Sequence, residues 1–549
     1  MTTKKNTTKK SVSTKKSPPP LGKPMKGRDV IVKALENEGV KVIFGYPGGT
    51  SMEIHQGLTL TRKIRMVLPR HEQGGAFAAG GYARATGEVG VCLATSGPGA
   101  TNLITGIIDA KMDSIPIVAI TGQVPSTLLG SDAFQETDIL GATFPLVKHS
   151  YMIQNVEEIP KIIHEAFHIA RSGRPGPVLI DIPKDIQQQE GIPDFDVVFD
   201  CPSYRPNLKP SILQCKKAAH TIQASKRPII YAGGGIVSSG ASEELRAFVK
   251  KTGIPVTTTV MGLGVFPSND PLSLRMLGMH GAVYANIAIN HADLVIAMGV
   301  RFDDRVTGKL AEFCKNAQII HIDIDPTEIN KNITVEVPIQ GDIKQTLKIL
   351  QGLVEPKKDI KPWIKQVSDW KKEFPLEFKL KKDEIVPQSV ISEINKLSDD
   401  DAIFSVGVGQ HQMWAAQFLD FDKPNHWLCS SGLGAMGFGL PAAMGAQVAF
   451  PDRQVINIEG DGSFLMNIQE LQTLKIENIP VKNIILNNAH LGMVAQWEDR
   501  FYKSLRGHTF IGDANFAEVA HAFGIKSECI THPKDVVPAL KRMLKHKGP

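Results

Sequence analysis

The stretch VINIEGDGSFLMN, residues 455–467, runs from an apolar strand through Gly-Asp-Gly into the start of a helix. A tight turn explains the glycine on each side of Asp461, because glycine adopts backbone conformations that other residues avoid. A turn does not explain why one acidic residue stands at the carboxyl end of an apolar strand. The carboxylate therefore points to a partner elsewhere in the chain.

The strand VKNIILNN supplies that partner, because it ends in two asparagines. The interval between the two strands has room for one helix, so Asp461 and Asn488 are predicted to lie side by side at the ends of adjacent parallel strands. One carboxylate and one amide oxygen suit Mg²⁺, which completes its shell with water and phosphate oxygens. Gly460 and Gly462 leave room for a diphosphate near the backbone amides and the helix start. Ordinary turn residues are the alternative.

Length and composition limit the classes of protein to which the chain can belong. A chain of 549 residues is too long for one hydrophobic core, and about three domains are expected. No apolar run has the length of a membrane-spanning helix, so no membrane association is expected. The six cysteines are scattered without a C-x-x-C pair, which argues against a zinc site or a disulfide framework and favours a reducing compartment.

The basic charge is concentrated in the N-terminal tail. Residues 1–27 contain eight lysines and no acidic residue, whereas the net charge of the whole chain is +6. The remainder is slightly acidic, so no nucleic-acid partner is expected. The tail has too few apolar residues to pack and is predicted to be disordered. It lacks Arg and an amphipathic run, which favours a cytoplasmic protein, with a plastid transit peptide as the alternative.

Alternating patterns along the chain predict its architecture. From Asp29 onwards, short β-branched runs alternate with segments rich in Ala, Gly and Leu. This alternation predicts an α/β fold of three doubly wound, parallel-sheet domains. Residues 344–382, rich in Lys, Trp and Glu, are interpreted as an exposed helical connection. The predicted boundaries are a tail over 1–27 and domains over 28–193, 211–350 and 386–549.

Two further segments place single functional side chains beside runs of small residues. Glu72 begins EQGGAFAAGGYARATG, where a carboxylate in the first turn also interacts favourably with the helix dipole. Met436 lies in the glycine-rich turn SSGLGAMGFG, and a core position is the ordinary alternative for methionine.

Taken together, these motifs resemble one family. Gly-Asp-Gly followed by one helix and Asn-Asn resembles the thiamine diphosphate motif, and the chain from about Met25 to Pro549 resembles the large catalytic subunit of the acetolactate synthase (acetohydroxyacid synthase) family. The segments that carry the resemblance are FGYPGG, RHEQGG, ATSGPGATN, SDAFQETD, GRPGPVLIDIPKDI, LGMHG, RFDDRVTGK, HIDIDPTEINK, GQHQMWAAQ and NNAHLGMVAQWEDRFY. The resemblance implies a pyrimidine-binding, a central FAD-associated and a diphosphate-binding domain, in that order.

The resemblance also implies an activity and its cofactors. The expected enzyme decarboxylates pyruvate and joins the product to pyruvate or 2-oxobutanoate, the first common step of valine, leucine and isoleucine biosynthesis. Thiamine diphosphate, Mg²⁺ and FAD are the implied cofactors. In this family a glutamate placed like Glu72 activates the cofactor across a dimer interface, and a residue placed like Met436 holds the cofactor bent.

The implied cofactor residues fall into three sets. The thiamine diphosphate set is Glu72, Gln410, His411, Gly434, Met436, Gly460, Gly462 and Ser463. The metal set is Asp461, Asn488 and His490. The FAD set is Arg174, Gly233, Gly234, Gly278, Met279, His280, Gly281, Arg301, Asp304, Arg305, Asp323, Ile324 and Asp342.

The FAD set rests on the resemblance, because Gly-Gly-Gly at 233–235 is not the G-x-G-x-x-G dinucleotide motif. The run HIDID ends at Asp325 and could hold a ribose hydroxyl or form a solvated sheet edge; the residues alone leave both open. In this family FAD performs no net redox chemistry.

The substrate side needs a cation, because a 2-oxo acid carries a carboxylate. The resemblance supplies Arg301 and Lys184 as the candidates, and it places Phe134 and Gln135 beside the reacting carbonyls. Trp497 is implied to close the pocket around the alkyl group of the second substrate, with a core position as its alternative. One methylene in such a pocket is worth about 1–3 kcal/mol.

The resemblance also leads to expectations about assembly and about the length of the chain. A homodimer or tetramer with shared sites is implied, and a small regulatory subunit is a further candidate partner. Family members continue beyond the position of Pro549 into a strand and a tail, so the third domain is expected to be incomplete. Pyruvate oxidase, glyoxylate carboligase and an inactive scaffold are the alternatives, although glyoxylate carboligase lacks the glutamate found at Glu72.

Overall fold

The computed structural model describes residues 22–198, 201 and 203–549. Within these residues, three parallel sheets of six, six and four strands follow one another along the chain. This confirms the predicted α/β class. Most of the predicted tail over residues 1–27 lies outside the described residues. No helix in the described ranges is both long and apolar enough to cross a membrane.

The first sheet has the strand order β3-β2-β4-β5-β7-β6, and β1 pairs antiparallel with β8 beside it. Its strands are β1 (Met25–Lys26), β2 (Val42–Gly45), β3 (Arg65–Val67), β4 (Gly90–Ala94), β5 (Ile117–Gln123), β6 (His149–Met152), β7 (Val178–Pro183) and β8 (Glu190–Gly191). Its helices are α1 (Gly27–Asn37), α2 (Met52–Leu58), α3 (Glu72–Thr86), α4 (Pro98–Asn102), α5 (Ile104–Asp113), α6 (Ile139–Thr143), α7 (Ile159–Arg171) and α8 (Lys184–Gln188). Strands β4, β5 and β7 are buried along their length, as expected for a sheet covered on both faces.

The central sheet has the order β11-β10-β9-β12-β13-β14. Its strands are β9 (Pro228–Ala232), β10 (Val256–Thr258), β11 (Ser273–Met276), β12 (Leu294–Met298), β13 (Gln318–Asp323) and β14 (Val337–Gln340). Its helices are α9 (Ile212–Ala224), α10 (Gly234–Ser238), α11 (Ser242–Thr252), α12 (Val283–His291), α13 (Asp304–Thr307), α14 (Ile343–Leu353) and α15 (Lys361–Glu373).

Helix α15 corrects one expectation for this region. Residues 344–382 were interpreted as an exposed connection, but Trp363 is only 2% exposed and belongs to the central core. Its indole N–H donates a 2.9 Å hydrogen bond to the carbonyl of Pro228. The lysine-rich composition conceals an amphipathic helix, because its few apolar residues share one face.

The third sheet has the order β16-β15-β17-β18. Its strands are β15 (Ile403–Val406), β16 (Trp427–Cys429), β17 (Val455–Gly460) and β18 (Lys482–Leu486). Its helices are α16 (Pro387–Leu397), α17 (Gln410–Phe418), α18 (Gly439–Ala449), α19 (Asp461–Leu465), α20 (Glu470–Ile476), α21 (Gly492–Phe501), α22 (Phe516–Ala522) and α23 (Pro533–Lys545).

The first and third sheets are joined by close packing of α3 on α18. A Cβ atom added to Gly81 would come within 2.2 Å of the carbonyl oxygen of Ala442, and one added to Gly445 would come within 2.0 Å of the carbonyl oxygen of Ala78. Only glycine permits this backbone-to-backbone approach. The contact fixes Glu72, at the start of α3, relative to the loop that precedes α18.

Candidate active site

The turn at the end of β17 places Asp461 beside Asn488, as the sequence predicts. Strands β17 and β18 pair in parallel, with Gly460 opposite Leu486. Asp461 is 3% exposed. Its carboxylate accepts hydrogen bonds from the backbone N–H of Gly462 at 2.9 Å and of Asn488 at 3.2 Å. The backbone itself therefore orients both carboxylate oxygens.

The chemistry of this pair fits Mg²⁺ and a phosphate group. Asp461 offers one anionic oxygen and Asn488 one neutral amide oxygen, and a small hard cation fills its remaining positions from outside the protein. Among the described residues, no three His, Cys, Asp or Glu side chains gather into a metal cluster. A Cβ on Gly460 would lie 2.7 Å from the ring of His411, so this turn requires glycine.

The third residue of the metal set is oriented differently. One ring nitrogen of His490 lies 2.8 Å from the carbonyl oxygen of Asn488, and its ring packs edge-on against Phe510. These contacts make the side chain a brace for the Asn488 loop.

Ser463 braces the loops around the turn. Its hydroxyl accepts the N–H groups of Val408 at 3.3 Å and Gly437 at 3.0 Å, and it is hydrogen-bonded to Glu459. Glu459 is fully buried, and burial raises the pKa of its carboxyl group to about 8, against hydrogen bonds from Ser463, Leu440 and Gly439. The hydroxyl of Ser463 is therefore committed to hydrogen bonds within the protein.

Glu459 was missed by the sequence analysis. Its signal was the acidic residue inside the otherwise apolar strand VINIE. Such a residue is rarely buried without a defined set of partners.

Two residues of the thiamine diphosphate set lie behind or beside the turn. His411 is 5% exposed, and burial lowers the pKa of its imidazole to about 3. Its ring packs under Gly460, 2.7 Å from a Cβ placed there. Gln410 donates from its side chain to Gln496 of α21 at 3.1 Å and so ties α17 to α21.

A cavity of about 750 Å³ extends from the central sheet to the third sheet. It brings together most of the predicted FAD residues with part of the thiamine set. The predicted residues that line it are Arg174, Gly234, Met279, His280, Arg301, Arg305, Asp323, Ile324, Asp342, Gly434, Met436 and Trp497.

Four residues predicted for FAD do not line this cavity. Gly233 packs against the backbone of Gly299, where a Cβ would come within 2.2 Å of an oxygen. Gly278 and Gly281 shape the loop before α12, where Gly278 has a φ of 103°. The side chain of Asp304 is 80% exposed. Neighbouring Asp303 takes its place on the cavity wall, where it also caps α13 by accepting the N–H of Val306 at 3.1 Å.

Arg174 is anchored to the central domain by carboxylates. Its guanidinium donates to Asp325 at 3.0 Å and to Glu328 at 2.6 Å. Asp323 is 8% exposed, on a strand between two others, so a solvated sheet edge is excluded for the HIDID run. Burial raises the pKa of Asp323 to about 6. The cavity therefore has cationic and acidic walls in close proximity.

Trp497 lies on α21 at the wall of the cavity and is 39% exposed. Its indole packs against Phe501, with ring centroids 5.2 Å apart. The core alternative for this tryptophan is therefore wrong. Met436 lines the same cavity, so it too is not simply a core residue.

Glu72, Gln135, Phe134 and Lys184 do not line the cavity. Glu72 begins α3, and its carboxylate accepts a 3.0 Å hydrogen bond from the side chain of Asn102. Phe134 is 88% exposed, and Lys184 begins α8. One chain thus carries two separate sets of site residues, one on the first domain and one around the cavity.

A buried carboxylate also fixes the approach to Glu72. Glu470, from α20, accepts the backbone N–H of Arg70 at 2.9 Å. It contacts the hydroxyl of Thr473 at 2.8 Å. Burial raises the pKa of Glu470 to about 7. The third domain thereby holds the turn that precedes α3.

Several cavity residues were missed because they stand in helices and loops without a distinctive motif. The lining includes Met112, Asp113, Val408, Met413, Met493 and Val494. Asp113 is the most informative, because it accepts hydrogen bonds from Arg84 at 2.8 Å and from the N–H groups of Ser431 and Gly432 at 2.9 and 2.7 Å. These bonds tie the loop that leads to Met436 onto the first domain.

Family comparisons agree with this architecture. Residues 25–142 match the family model "Thiamine pyrophosphate enzyme, N-terminal TPP binding domain", residues 215–350 match its "central domain", and residues 407–549 match its "C-terminal TPP binding domain". Two of the three units are therefore thiamine diphosphate binding domains.

Whole-chain comparisons find similar plant proteins. The chain is 55% identical over 541 residues to acetolactate synthase 3, chloroplastic, of Brassica napus, covering 96% of this chain and 83% of that protein. It is 56% identical to acetolactate synthase 2, chloroplastic, of Nicotiana tabacum, with 96% and 81% covered. It is 54% identical to acetolactate synthase, chloroplastic, of Arabidopsis thaliana, with 96% and 80% covered. The expectation of a cytoplasmic protein is wrong, because these relatives are chloroplastic by name.

Proposed function

Since the chain belongs to the acetolactate synthase family of thiamine diphosphate enzymes, we propose that it joins two 2-oxo acids with release of CO₂. Pyruvate is decarboxylated, and the remaining two-carbon unit is joined to a second pyruvate, giving 2-acetolactate, or to 2-oxobutanoate, giving 2-aceto-2-hydroxybutyrate. The observation that carries the proposal is the Asp461–Asn488 pair, held by backbone hydrogen bonds at the ends of two parallel strands.

The cofactor fits the turn in charge and in space. The oxygens of Asp461 and Asn488 would hold Mg²⁺, and Gly460 and Gly462 would leave room for the diphosphate. Thiamine diphosphate, when bound, supplies a carbon nucleophile for the carbonyl of the first substrate. Met436 lines the cavity, its methyl group lies 3.4 Å from a Cβ placed on Gly462, and it would support the ring system of the bound cofactor. The Ser463 brace keeps the surrounding loops fixed, so binding requires little reorganisation.

Glu72 is the proton-transferring residue in this proposal. With the cofactor bound, a carboxylate oxygen of Glu72 would exchange a proton with the aminopyrimidine ring, and a positioned carboxylate contributes about 10²–10⁴ to the rate of such a step. Asn102 holds the other oxygen. Glu72 stands on the first domain and is not among the cavity residues, and the family resemblance places such a glutamate across a dimer interface. In this proposal a second copy of the chain therefore supplies it, which makes the homodimer the smallest active unit. Pairing of dimers and a regulatory subunit remain candidates beyond it.

FAD is assigned to the central part of the cavity. Arg174, Arg301 and Arg305 supply positive charge for its diphosphate, and Asp323 supplies an acceptor for ribose hydroxyls. The fit is one of charge and volume, in a cavity of about 750 Å³, which lies in the usual range for a cofactor site. In this proposal FAD has a structural role.

The substrate carboxylate pairs with Arg301 on the cavity side and with Lys184 on the partner side. Phe134 and Gln135 close over the reacting carbonyls from the second copy. Trp497 forms an apolar wall and favours 2-oxobutanoate over pyruvate as the second substrate. The energy that one methylene contributes, about 1–3 kcal/mol, is sufficient to bias the product.

One incubation tests the proposed reaction against its alternatives. The protein is supplied with pyruvate, thiamine diphosphate, Mg²⁺ and FAD, and acetolactate and hydrogen peroxide are both measured. Acetolactate without peroxide is the expected result. Peroxide would identify an oxidase, and the absence of both products would identify an inactive scaffold.

Plastid location is proposed from the relatives and is tested by fractionating the source cells.

A further inference from the structure

The loop that carries Phe134 and Gln135 is exposed and conformationally demanding. Residues 124–138 leave the end of β5 and lead into α6. Phe134 is 88% exposed, and Gln135 and Asp132 have left-handed φ angles of 61° and 55°. For residues other than glycine, such conformations are strained and persist only where the surroundings enforce them.

The far end of this loop is fastened through Gln123. The side-chain amide of Gln123 donates to the carbonyl of Thr137 at 2.9 Å and to the carboxylate of Asp181 at 2.9 Å. Asp181 also accepts the hydroxyl of Thr121 at 2.7 Å. Gln123 and Asp181 are 2% and 0% exposed, so the anchor is shielded from competing water.

The near end is fastened through Asp185. The carboxylate of Asp185 accepts the backbone N–H of Ser126 at 2.9 Å and its hydroxyl at 2.5 Å. Asp185 follows Lys184 in the first turn of α8. Both ends of the loop are therefore tied to one short segment, 181–185, and that segment carries Lys184.

The loop also rests on a second part of the first domain. Gly97 has a φ of 59°, and a Cβ at this position would come within 2.9 Å of the side chain of Gln135. Glu136 accepts the N–H of Ala133 at 2.9 Å, which closes the loop on itself. These contacts shape the loop, whereas the ties to Asp181 and Asp185 set its position relative to Lys184.

We infer that Asp181 and Asp185 are positioning residues that hold Phe134 and Gln135 in register with Lys184, and that this register sets the affinity for the 2-oxo acid substrate. The inference rests on the proposed function, in which these three residues contact the substrate. Loss of either tie leaves the loop free to leave its strained conformation. The substrate must then order the loop when it binds, so KM rises while the chemical step is less affected.

Two substitutions at one position separate this role from a simple charge effect. Asp185→Ala and Asp185→Asn both remove the negative charge beside Lys184. Asparagine keeps an acceptor for the N–H of Ser126 and a donor to its hydroxyl, whereas alanine keeps neither. Asp185→Ala should raise KM for pyruvate about fivefold to tenfold, the loss of one or two hydrogen bonds. Its kcat, thiamine diphosphate affinity and melting temperature should stay close to those of the unmodified enzyme, and Asp185→Asn should restore KM.

The buried tie has its own pair of variants. Gln123→Met keeps the side-chain volume but removes the bonds to Thr137 and Asp181, so it should raise KM in the same way. Thr121→Val removes only the second hydrogen bond to Asp181 and leaves the loop tied, so KM should not change. If Gln123→Met does not fold, the comparison at Asp185 still decides the question.

Cleavage by chymotrypsin after Phe134 supplies a readout that does not depend on activity. Native-state cleavage should be about fivefold to tenfold faster in Asp185→Ala, in proportion to the weakened tie, and near the unmodified rate in Asp185→Asn. Equal KM values for the two Asp185 variants, or unchanged KM and cleavage in Asp185→Ala, would overturn the inference. Absence of acetolactate from the unmodified enzyme would defeat the proposed function instead, and cleavage would still test whether Asp185 places the loop.

Discussion

The turn at Asp461 and the loop over residues 124–138 both carry predicted site residues, yet they are held in opposite ways. Asp461 is 3% exposed, and its carboxylate is oriented by the backbone N–H groups of Gly462 and Asn488, just beyond the ends of β17 and β18. The loop is exposed at its tip, and its position depends on side chains from β5, β7 and α8. The turn is thus built by local sequence and sheet order, and the loop by contacts between distant segments.

This difference corresponds to a division of roles in the proposed reaction. A cofactor that stays bound benefits from a rigid, preorganised site, because little is spent on ordering the protein. A substrate that enters and leaves in each cycle requires a surface that can open. Substitutions at the turn should therefore change cofactor binding, and substitutions on the substrate side should change KM or product choice.

The largest effect is expected from Glu72→Gln, which tests whether the site residues of the first domain also act on the cofactor. Glutamine keeps the shape and the hydrogen bond with Asn102 but cannot take up a proton. Exchange of the thiazolium C2 proton of bound cofactor, followed by NMR, should slow by about 10²–10⁴. Mg²⁺ affinity and the melting temperature should not change. Exchange at the unmodified rate would remove Glu72 from this role.

A smaller effect is expected from Asp461→Asn, which tests the buried turn directly. The substitution removes the anionic ligand of the proposed Mg²⁺ site, so thiamine diphosphate should bind roughly 10–100-fold more weakly at low Mg²⁺, a loss of the size seen when metal sites are perturbed. Excess Mg²⁺ should recover part of the affinity. Calorimetric titration of the cofactor at two Mg²⁺ concentrations measures both. Unchanged affinity at low Mg²⁺ would contradict the assignment.

The pH dependence of stability tests Glu470, the buried carboxylate that holds the turn before Glu72 against the third domain. Burial raises the pKa of Glu470 to about 7 in the folded chain, from its usual 4.5. Between these values the folded state holds a proton that the unfolded state releases. The contribution of Glu470 to stability should therefore fall as pH rises from about 4.5 to 7, by at most about 1.4 kcal/mol per pH unit.

Glu470→Gln is the control for this prediction, because its amide cannot ionise. Melting temperatures between pH 5 and 7 should decline less steeply in this variant than in the unmodified chain. Parallel pH profiles for the two proteins would show that Glu470 is ionised throughout, and its buried position would then need another compensating charge.

The site around Asp461 could be predicted because its signals are local. A strand, a Gly-Asp-Gly turn and a second strand ending in asparagine fix the pair through sheet geometry alone. Glu459 was missed although it lies in the same segment, because its role depends on loops that are distant in the sequence. Strands β6, β11 and β14 illustrate a similar limit, since short strands next to helices carry little periodic signal.

The resemblance supplied residue identities but not their directions. It named Asp304 for FAD, whereas the structure turns that side chain outward and places Asp303 on the cavity wall. It named His411 for thiamine diphosphate without indicating that the imidazole is buried under Gly460. Side-chain direction follows from the local caps and packing, which a motif does not specify.

The smallest effect is expected from Trp497→Leu, which sharpens the distinction between the two regions. Trp497 lines the cavity and is 39% exposed, so it is placed to contact the extra methyl group of 2-oxobutanoate. Leucine remains apolar but covers less area, so the longer substrate should lose more contact than pyruvate. The ratio of acetohydroxybutyrate to acetolactate in a competition assay should fall by the factor that corresponds to about 1 kcal/mol of free energy, the lower end of the methylene range.

Trp363→Leu is the matched control, because Trp363 is 2% exposed and donates a hydrogen bond within the central core. That substitution should destabilise the protein by about 3 kcal/mol or more and leave the product ratio unchanged. Trp497→Leu should do the reverse, with an altered ratio and a melting temperature close to that of the unmodified protein. An unchanged ratio with a lowered melting temperature would show that Trp497 supports the fold and does not select the substrate. The substrate side would then depend on Arg301, Lys184 and the loop over residues 124–138.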